Sequence, residues 1–349
     1  IIHHPLYAKH QTGFGHPEDP RRYEAVMAGL QADAKLWETL AKVEPEPAGK
    51  GTIQAVHTKE HFLRVENAFG SGIMQLDADT VISMHSFEAA LMAAGGVCSA
   101  VDAVVAGDVK NAFAAVRPPG HHATAEHAMG FCLFNNAAVA ARYAQNRYKE
   151  IDRVAIVDWD VHHGNGTQGI FYSDPSVYFL SLHQYPWYPG TGSRGETGQG
   201  RGLGSTKNIT IKANTPAERH RHMFEAAIED VAARFKPDLI IVSAGFDAHR
   251  RDPLGQLMLE DSDFFSMTKT IMEWASDACE GRVVSCLEGG YDLDSLGETV
   301  FELWLNNDTC RLFGRAMVRW SQNTNPERCD ARHRNCMRPM QRDVFVHRT

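Results

Sequence analysis

The chain has 349 residues, 43% hydrophobic and 22% charged, with 29 glycines and 15 prolines. That is enough for one large domain or two small ones, and it is neither collagen-like nor low-complexity. The formal net charge of −8 argues against a general nucleic-acid binder, which carries a basic excess.

From residue 86 onward, amphipathic Ala-rich stretches alternate with short β-branched runs. In chain order the pattern predicts a helix over 86–106, then a strand NAFAAV over 111–116, and a helix over 135–148. Strands follow at RVAIVDWD (153–160), SVYFLSLH (176–183) and TKNITIKA (206–213). A helix over 216–235 is expected to have Thr215 as N-cap and Pro216 in its first turn. The strand DLIIVSAGFD (238–247), a helix over 262–280 capped by Asp261, and the strand RVVSCLEGG (282–290) complete the series. Near-continuous apolar strands separated by helices imply a sheet buried on both faces. The reading is an α/β fold: a single domain over 1–307, with a mostly parallel central sheet flanked by helices.

The remainder, 308–349, is distinct. It holds nine arginines against four acids, about +5, which leaves about −13 for the preceding residues. Arg311, Arg315 and Arg319 share one helical face, but Cys310, Cys329, His333 and Cys336 fit no zinc-module spacing, so the segment reads as a basic extension. Seven cysteines without a C-x-x-C read as reduced thiols. No run approaches the ~20 apolar residues of a membrane span and the first residues are not a secretory signal. The expectation is a cytoplasmic, intracellular protein with no membrane or nucleic-acid partner.

Open α/β sheets bind ligands at the carboxyl ends of their strands. Here those ends are loaded. His121 and His122 follow the first strand, and Asp158, Asp160, His162 and His163 follow the second. Phe246, Asp247 and His249 follow the fifth strand, and Tyr291 the sixth. On an extended chain alternate residues share a face, so Asp158, Asp160 and His162 point one way and His163 the other. Asp160 and His162 can grip one cation, with Asp247 the natural third donor. Two carboxylates and an imidazole suit a catalytic Zn²⁺ with an open position, although Fe²⁺ and Mn²⁺ accept the same donors. His121 and His122 suit general base and acid work, with Asp158 and Asn165 as candidate partners. Tyr291, after Gly289–Gly290, can offer a phenol to a developing oxyanion. Gly190, Gly192 and Gly195 satisfy G-x-G-x-x-G but lead into a strand, so no dinucleotide site is expected, and G-x-S-x-G and H-E-x-x-H are absent.

These residues stand in segments that resemble the histone deacetylase and acetylpolyamine amidohydrolase family, whose fold is arginase-like. The segments are GHPEDPRR (15–22), RPPGHHA (117–123), GFCLFNN (130–136), VDWDVHHGNGTQ (157–168), SLHQYPWYPGTG (181–192), SAGFDAHRRDPLG (243–255) and LEGGYDL (287–293). The resemblance spans roughly residues 3–307. It implies Asp160, His162 and Asp247 as zinc ligands, with His121 and His122 as the tandem catalytic histidines. Asp158 and Asn165 become their partners, Asn165 in the manner of the class II branch, and Tyr291 the transition-state tyrosine. It further implies Phe131 and Tyr188 as tunnel walls, the Gly130 carbonyl as polar lining, and Leu254 where polyamine-selecting relatives carry a glutamate. Two potassium sites are implied: Asp158, Asp160, His162, Ser181 and Leu182 at one, and Phe171, Asp174, Val177 and Asn208 at the other.

The implied activity is zinc-dependent removal of acyl groups from amines such as acetyl-lysine. Small acylated amines and esters are the alternatives, and a non-catalytic acyl-ligand binder is the alternative of another class. His10, His16, Glu18 and Asp19 either shape the tunnel mouth, contribute to a homo-oligomer contact or fix a loop. Trp187 belongs to the rim or the core, and His163 and His183 are structural.

Overall fold

The structure is a computed structural model that describes residues 1–305. The six expected strands form as β1 (Asn111–Ala114), β2 (Val154–Asp158), β3 (Val177–Gln184), β4 (Thr206–Ile211), β5 (Leu239–Ala244) and β6 (Val283–Leu287). Among the described residues ten α-helices surround them. α1 (Arg21–Gln31), α2 (Ala34–Thr39), α3 (Lys50–Ile53) and α4 (Lys59–Ala68) precede the long α5 (Ser86–Val105) and α6 (Asn136–Arg147). The rest are α7 (Asn165–Phe171), α8 (Ala217–Ala232), α9 (Asp261–Cys279) and α10 (Leu293–Leu305). The extension over 308–349, with its cysteines and arginines, lies outside the described residues.

All strand pairs are parallel, in the order β1-β6-β5-β2-β3-β4. Every residue of β2, β3 and β5 is buried, which is why these strands read as apolar runs without polar alternation. Successive side chains feed two different cores. Ile156 and Ile241 pack with Val97, Val101 and Phe134 on the α5–α6 face. Val157 and Val242 pack with Phe224, Phe264 and Ile271 on the α8–α9 face. A two-residue period thus becomes a three-layer sandwich.

The strand order also places the site. After β2 the chain steps outward to β3 and β4. It then returns to lay β5 on the other side of β2, and β6 fills the place between β5 and the earlier β1. The point where those directions diverge, between β2 and β5, is where a ligand crevice opens at the strand carboxyl ends. Asp158 is the last residue of β2 and pairs with Ser243 of β5 and Ser181 of β3.

Three details differ from the sequence reading. Pro216 is itself the N-cap of α8, with extended ψ, and the Thr215 hydroxyl donates to the Lys212 carbonyl instead of capping. α9 starts one residue early: Glu260 and Asp263 form a reciprocal capping box, and Asp261 is already helical. Finally, α5 does have the length and mean hydropathy (20 residues, 1.5) of a membrane span, but 72% of the window is buried in the fold. Its apolarity, supplied largely by Ala and Val, is that of a core helix.

Candidate active site

Beyond Asp158 the chain leaves β2 and bends over 160–162 into the crevice. Asp160, His162 and Asp247 present ligand atoms within 4.8 Å of one another, and all three are buried. His162 Nδ1 lies 3.0 Å from Asp160 Oδ1 and 3.1 Å from Asp247 Oδ2. The remaining carboxylate oxygens are held by main-chain donors: Gly289 N–H to Asp160 Oδ2 at 2.8 Å and Val161 N–H to Asp247 Oδ1 at 2.8 Å. Those contacts require bare backbone opposite. A Cβ on Gly289 would stand 2.1 Å from Asp247 Oδ2, and one on Gly245 2.1 Å from Asp160 Oδ2.

The electrostatics fit a cation. Burial and the neighbouring Asp160 push Asp247 up to about 8. Burial opposes the charge on Asp160 too, yet His121 and His162 hold it well below the usual carboxylate range. Two buried acids that crowd each other carry a cost that a divalent ion among the three donors removes. The donor types, one imidazole and two carboxylates, are ones that Zn²⁺, Fe²⁺ and Mn²⁺ all accept.

The adjacent turn delivers the histidines. His121 Nδ1 lies 2.9 Å from Asp158 Oδ2, and His122 Nδ1 lies 2.7 Å from Asn165 Oδ1. An amide oxygen only accepts, so His122 carries its proton on Nδ1 and leaves Nε2 as a lone pair. The two environments drive the rings apart. Burial disfavours charge on His121, but Asp158 and Asp160 outweigh it and raise the ring well above its ordinary value. Burial lowers His122, and the positive charges of His121 and His162 lower it further. The ring centroids are only 4.0 Å apart.

A pocket of about 240 Å³ opens above the triad, lined by His122, Gly130, Phe131, His162, Trp187, Tyr188, Leu254 and Tyr291, with Asp79 among its walls. Tyr188 meets the His122 ring edge-on at 5.1 Å, and Phe131 meets Tyr291 edge-on at 5.8 Å. Gly130 and Phe131 both have positive φ, 56° and 69°. For a phenylalanine this left-handed backbone costs about 1–2 kcal/mol, offset locally by a 3.1 Å hydrogen bond from Phe131 N–H to the Thr80 hydroxyl. Burial raises Tyr291 well above its ordinary value, partly offset by Arg22, whose guanidinium lies 4.8 Å over its ring. A phenol held protonated is a hydrogen-bond donor.

A histone deacetylase domain matches residues 16–306. The chain is 40% identical to rice "Histone deacetylase 10, chloroplastic" (Oryza sativa subsp. japonica), over 82% of this chain and 68% of that one. It is also 40% identical to a "Probable deacetylase" of Archaeoglobus fulgidus, over 84% and 81% of the two chains. Among solved structures, that titled "Crystal Structure of HDA15 HD domain" superposes with a TM-score of 0.80 at 38% identity, covering 86% of each chain. The chain belongs to the histone deacetylase family.

In this chain, Asp79, Arg22 and Arg117 stand near the site with contacts that the sequence alone did not signal. Asp79 lines the pocket although nothing in the sequence around it signals a role. Glu18, fully buried, accepts from both Arg22 Nη1 (3.0 Å) and Arg117 Nη2 (2.6 Å). Arg22 continues to the Gly290 carbonyl at 2.6 Å, so one acid joins the loop before His121 to the loop that carries Tyr291. Glu18 therefore fixes loops, whereas exposed Arg21 pairs with Asp19. His10 is buried against the Ser86 hydroxyl, and His16 meets Phe131 at 4.8 Å. Trp187 is a rim residue whose indole N–H donates to the Leu254 carbonyl at 2.9 Å. His163 and His183 bond to Thr191, Gln168, Ser181 and Gly192, behind the pocket. Gly190–Gly195 is a loop that leads through one 3-10 turn, Gly200–Gly202, into β4, with no α-helix behind it.

The residues implied for potassium divide. Ser181 and Leu182 lie on β3 beside the end of β2, so the first group is contiguous. Phe171, Asp174 and Val177 lie along one short α7–β3 connection. Asn208 is not brought to them. It pairs with Ser181, four residues further along β3 than Val177, and its amide donates to Gln168 and the Glu196 carbonyl. Ser205, whose hydroxyl lies 3.4 Å from the Asp174 carbonyl oxygen, is the β4-side neighbour of that group.

Proposed function

We propose that this protein is a zinc-dependent deacylase that hydrolyses the amide of acylated amines, with acetyl-lysine side chains as the representative substrate. The observation that carries this reading is the buried Asp160–His162–Asp247 cluster at the foot of a pocket whose walls include a histidine with a free Nε2 and a protonated phenol. Asp160, His162 and Asp247 would hold the ion. The chemistry such an ion supplies when bound is polarisation of the acyl carbonyl and acidification of water toward a pKa of ~7.

The other steps belong to side chains. His122 accepts a proton from water at Nε2, because its Nδ1–H is committed to Asn165 and burial keeps the ring neutral. Tyr291 donates its phenol hydrogen bond to the oxygen that gains charge as the carbonyl becomes tetrahedral. His121, held charged by Asp158, keeps positive charge beside that centre. The proton taken by His122 is returned to the departing amine, so acid and base work share one imidazole. Phe131 and Tyr188 orient an unbranched alkyl arm between two aromatic faces, and Leu254 puts an apolar side chain where polyamine-selecting relatives carry a glutamate, with Asp79 the carboxylate of the lining. Structural K⁺ beside β2–β3 and near Asp174 belongs to the same reading. So does an intracellular setting, supported by four buried free thiols, Cys98, Cys132, Cys279 and Cys286.

The deciding experiment compares kcat/KM for an acetyl-lysine peptide, N-acetylputrescine and an aryl acetate. The peptide is expected to exceed N-acetylputrescine by at least about tenfold. Turnover of the aryl acetate alone would make the protein an esterase, and tight peptide binding without turnover would make it a non-catalytic binder.

A further inference from the structure

One more acid is buried at this end of the sheet and has no part in the chemistry above. Glu288 follows β6 directly, precedes Gly289–Gly290–Tyr291, and is 0% exposed. Its Oε2 accepts the backbone N–H of Gly120 at 2.6 Å and of His121 at 3.1 Å. Its Oε1 accepts the Ser243 hydroxyl at 3.0 Å, with the Cys286 thiol 3.8 Å away. Among the described residues no lysine, arginine or histidine side chain forms an ion pair with it.

A carboxylate taken out of water with only neutral donors is costly, and an apolar residue of similar volume would fill the space at less cost. What an apolar residue cannot do is satisfy the two main-chain amides. The turn that presents the histidines reads Arg117-Pro118-Pro119-Gly120-His121-His122. The two prolines have no N–H, so Gly120 and His121 supply the first amides after them, and Glu288 takes both. The same residue's carbonyl accepts from Arg22, which also holds the Gly290 carbonyl and covers the Tyr291 ring. Through its side chain Glu288 holds the histidine turn, and through its main chain the tyrosine loop.

We infer that Glu288 is a positioning residue: its carboxylate docks the turn carrying His121 and His122 onto the strand end that leads into Tyr291, and so sets the distance between proton acceptor and phenol. The consequence for turnover rests on the roles proposed for His122 and Tyr291, whereas the docking itself does not. A misplacement of about 1 Å in such a pair can cost on the order of 10² in rate.

The test uses the full chain and the variants Glu288→Ala and Glu288→Gln, with two readouts. The first is the proton shift and hydrogen exchange of the Gly120 and His121 backbone amides. In the parent both should be shifted downfield and slow to exchange; in Glu288→Ala both lose that protection. The second is steady-state kinetics on an acetyl-lysine peptide, normalised to folded, metal-loaded protein. Glu288→Ala should lower kcat by roughly 10- to 100-fold with KM within about twofold. Glu288→Gln can accept both amides through its oxygen and donate to Ser243. It should keep the protection with a smaller downfield shift and recover kcat to within about fivefold of the parent. Amides that ignore both substitutions, or a Glu288→Ala kcat within about threefold of the parent, would overturn the inference. Should Glu288→Ala not fold, the amide shift in Glu288→Gln decides alone, and no change there refutes the docking. A parent that does not turn over the peptide counts against the proposed function, while the amide measurement still judges Glu288.

Discussion

Tyr291 illustrates how much of this site is decided residue by residue. Its ring is held by Arg22 on one face and Phe131 at the edge, and its backbone N–H by Asp252 Oδ2 at 2.6 Å. Those contacts survive removal of the hydroxyl, so Tyr291→Phe should fold and load metal like the parent. Its kcat for an acetyl-lysine peptide should fall by about 10² to 10³, the usual cost of one lost oxyanion donor; parent-level turnover would remove the residue from the mechanism. The residues legible in the sequence were those spaced two apart on a strand end, Asp158, Asp160 and His162, and those flagged by adjacent glycine or proline, His121, His122 and Tyr291. Asp79 and the Arg22–Glu288 contact were not legible. Arg22 and Glu288 are 266 positions apart, and no local pattern announces that separation.

At the scale of elements, the strand ends matter more than the strands. β2, β5 and β6 lie side by side, and the segments that follow them converge because the Asp160 and Asp247 carboxylates pack directly on the bare backbone of Gly245 and Gly289. Gly289→Ala would drive a methyl group to 2.1 Å from Asp247 Oδ2 and 2.6 Å from Asp160 Oδ2. Metal retained after dialysis, measured by elemental analysis, should drop with an affinity loss of about 10- to 100-fold. Undiminished occupancy would show that the two carboxylates do not need their present spacing. All six strands were legible, because a parallel sheet writes itself as apolar runs between turn signals. Helix starts were less so: Pro216 and Glu260 cap where Thr215 and Asp261 had the better local chemistry. In α9 the reciprocal Glu260–Asp263 capping box moves the boundary by one residue, and in α8 the Thr215 hydroxyl turns back to the Lys212 carbonyl. α7, short and begun by Asn165–Gly166, carries too little apolar period to announce itself.

Among the described residues, four buried histidines away from the metal donors are held neutral. Burial lowers His10, His61 and His220 to about 4 and His57 to about 3, from 6.5. Depressed folded values mean the unfolded chain binds these protons first. Their stabilisation is complete above pH 6.5 and is lost as the pH falls toward 4, each group giving up about 1.4 kcal/mol per pH unit in that window. Asp247 and Glu288, whose folded values are raised, act in the opposite sense over the same window, so the histidine contribution is read as a difference between variant and parent. His220→Leu, which removes a ring with no partner at either nitrogen, should show a Tm change from pH 7.5 to 5.5 that is more favourable than the parent's by about 2 °C. A variant whose Tm follows pH as the parent's does would contradict the account.

At the same scale the acidic α/β unit, the parallel sheet and the crevice between β2 and β5 exist to bring Asp160, His162 and Asp247 together beneath an acyl-sized pocket. The most direct measurement is turnover of an acetyl-lysine peptide by the full chain as purified, after complete removal of metal, and after return of Zn²⁺. Activity should vanish on removal and return with about one Zn²⁺ per chain, and Asp247→Ala should neither bind that ion nor regain turnover. Undiminished deacylation by protein shown to be free of metal would contradict the central claim.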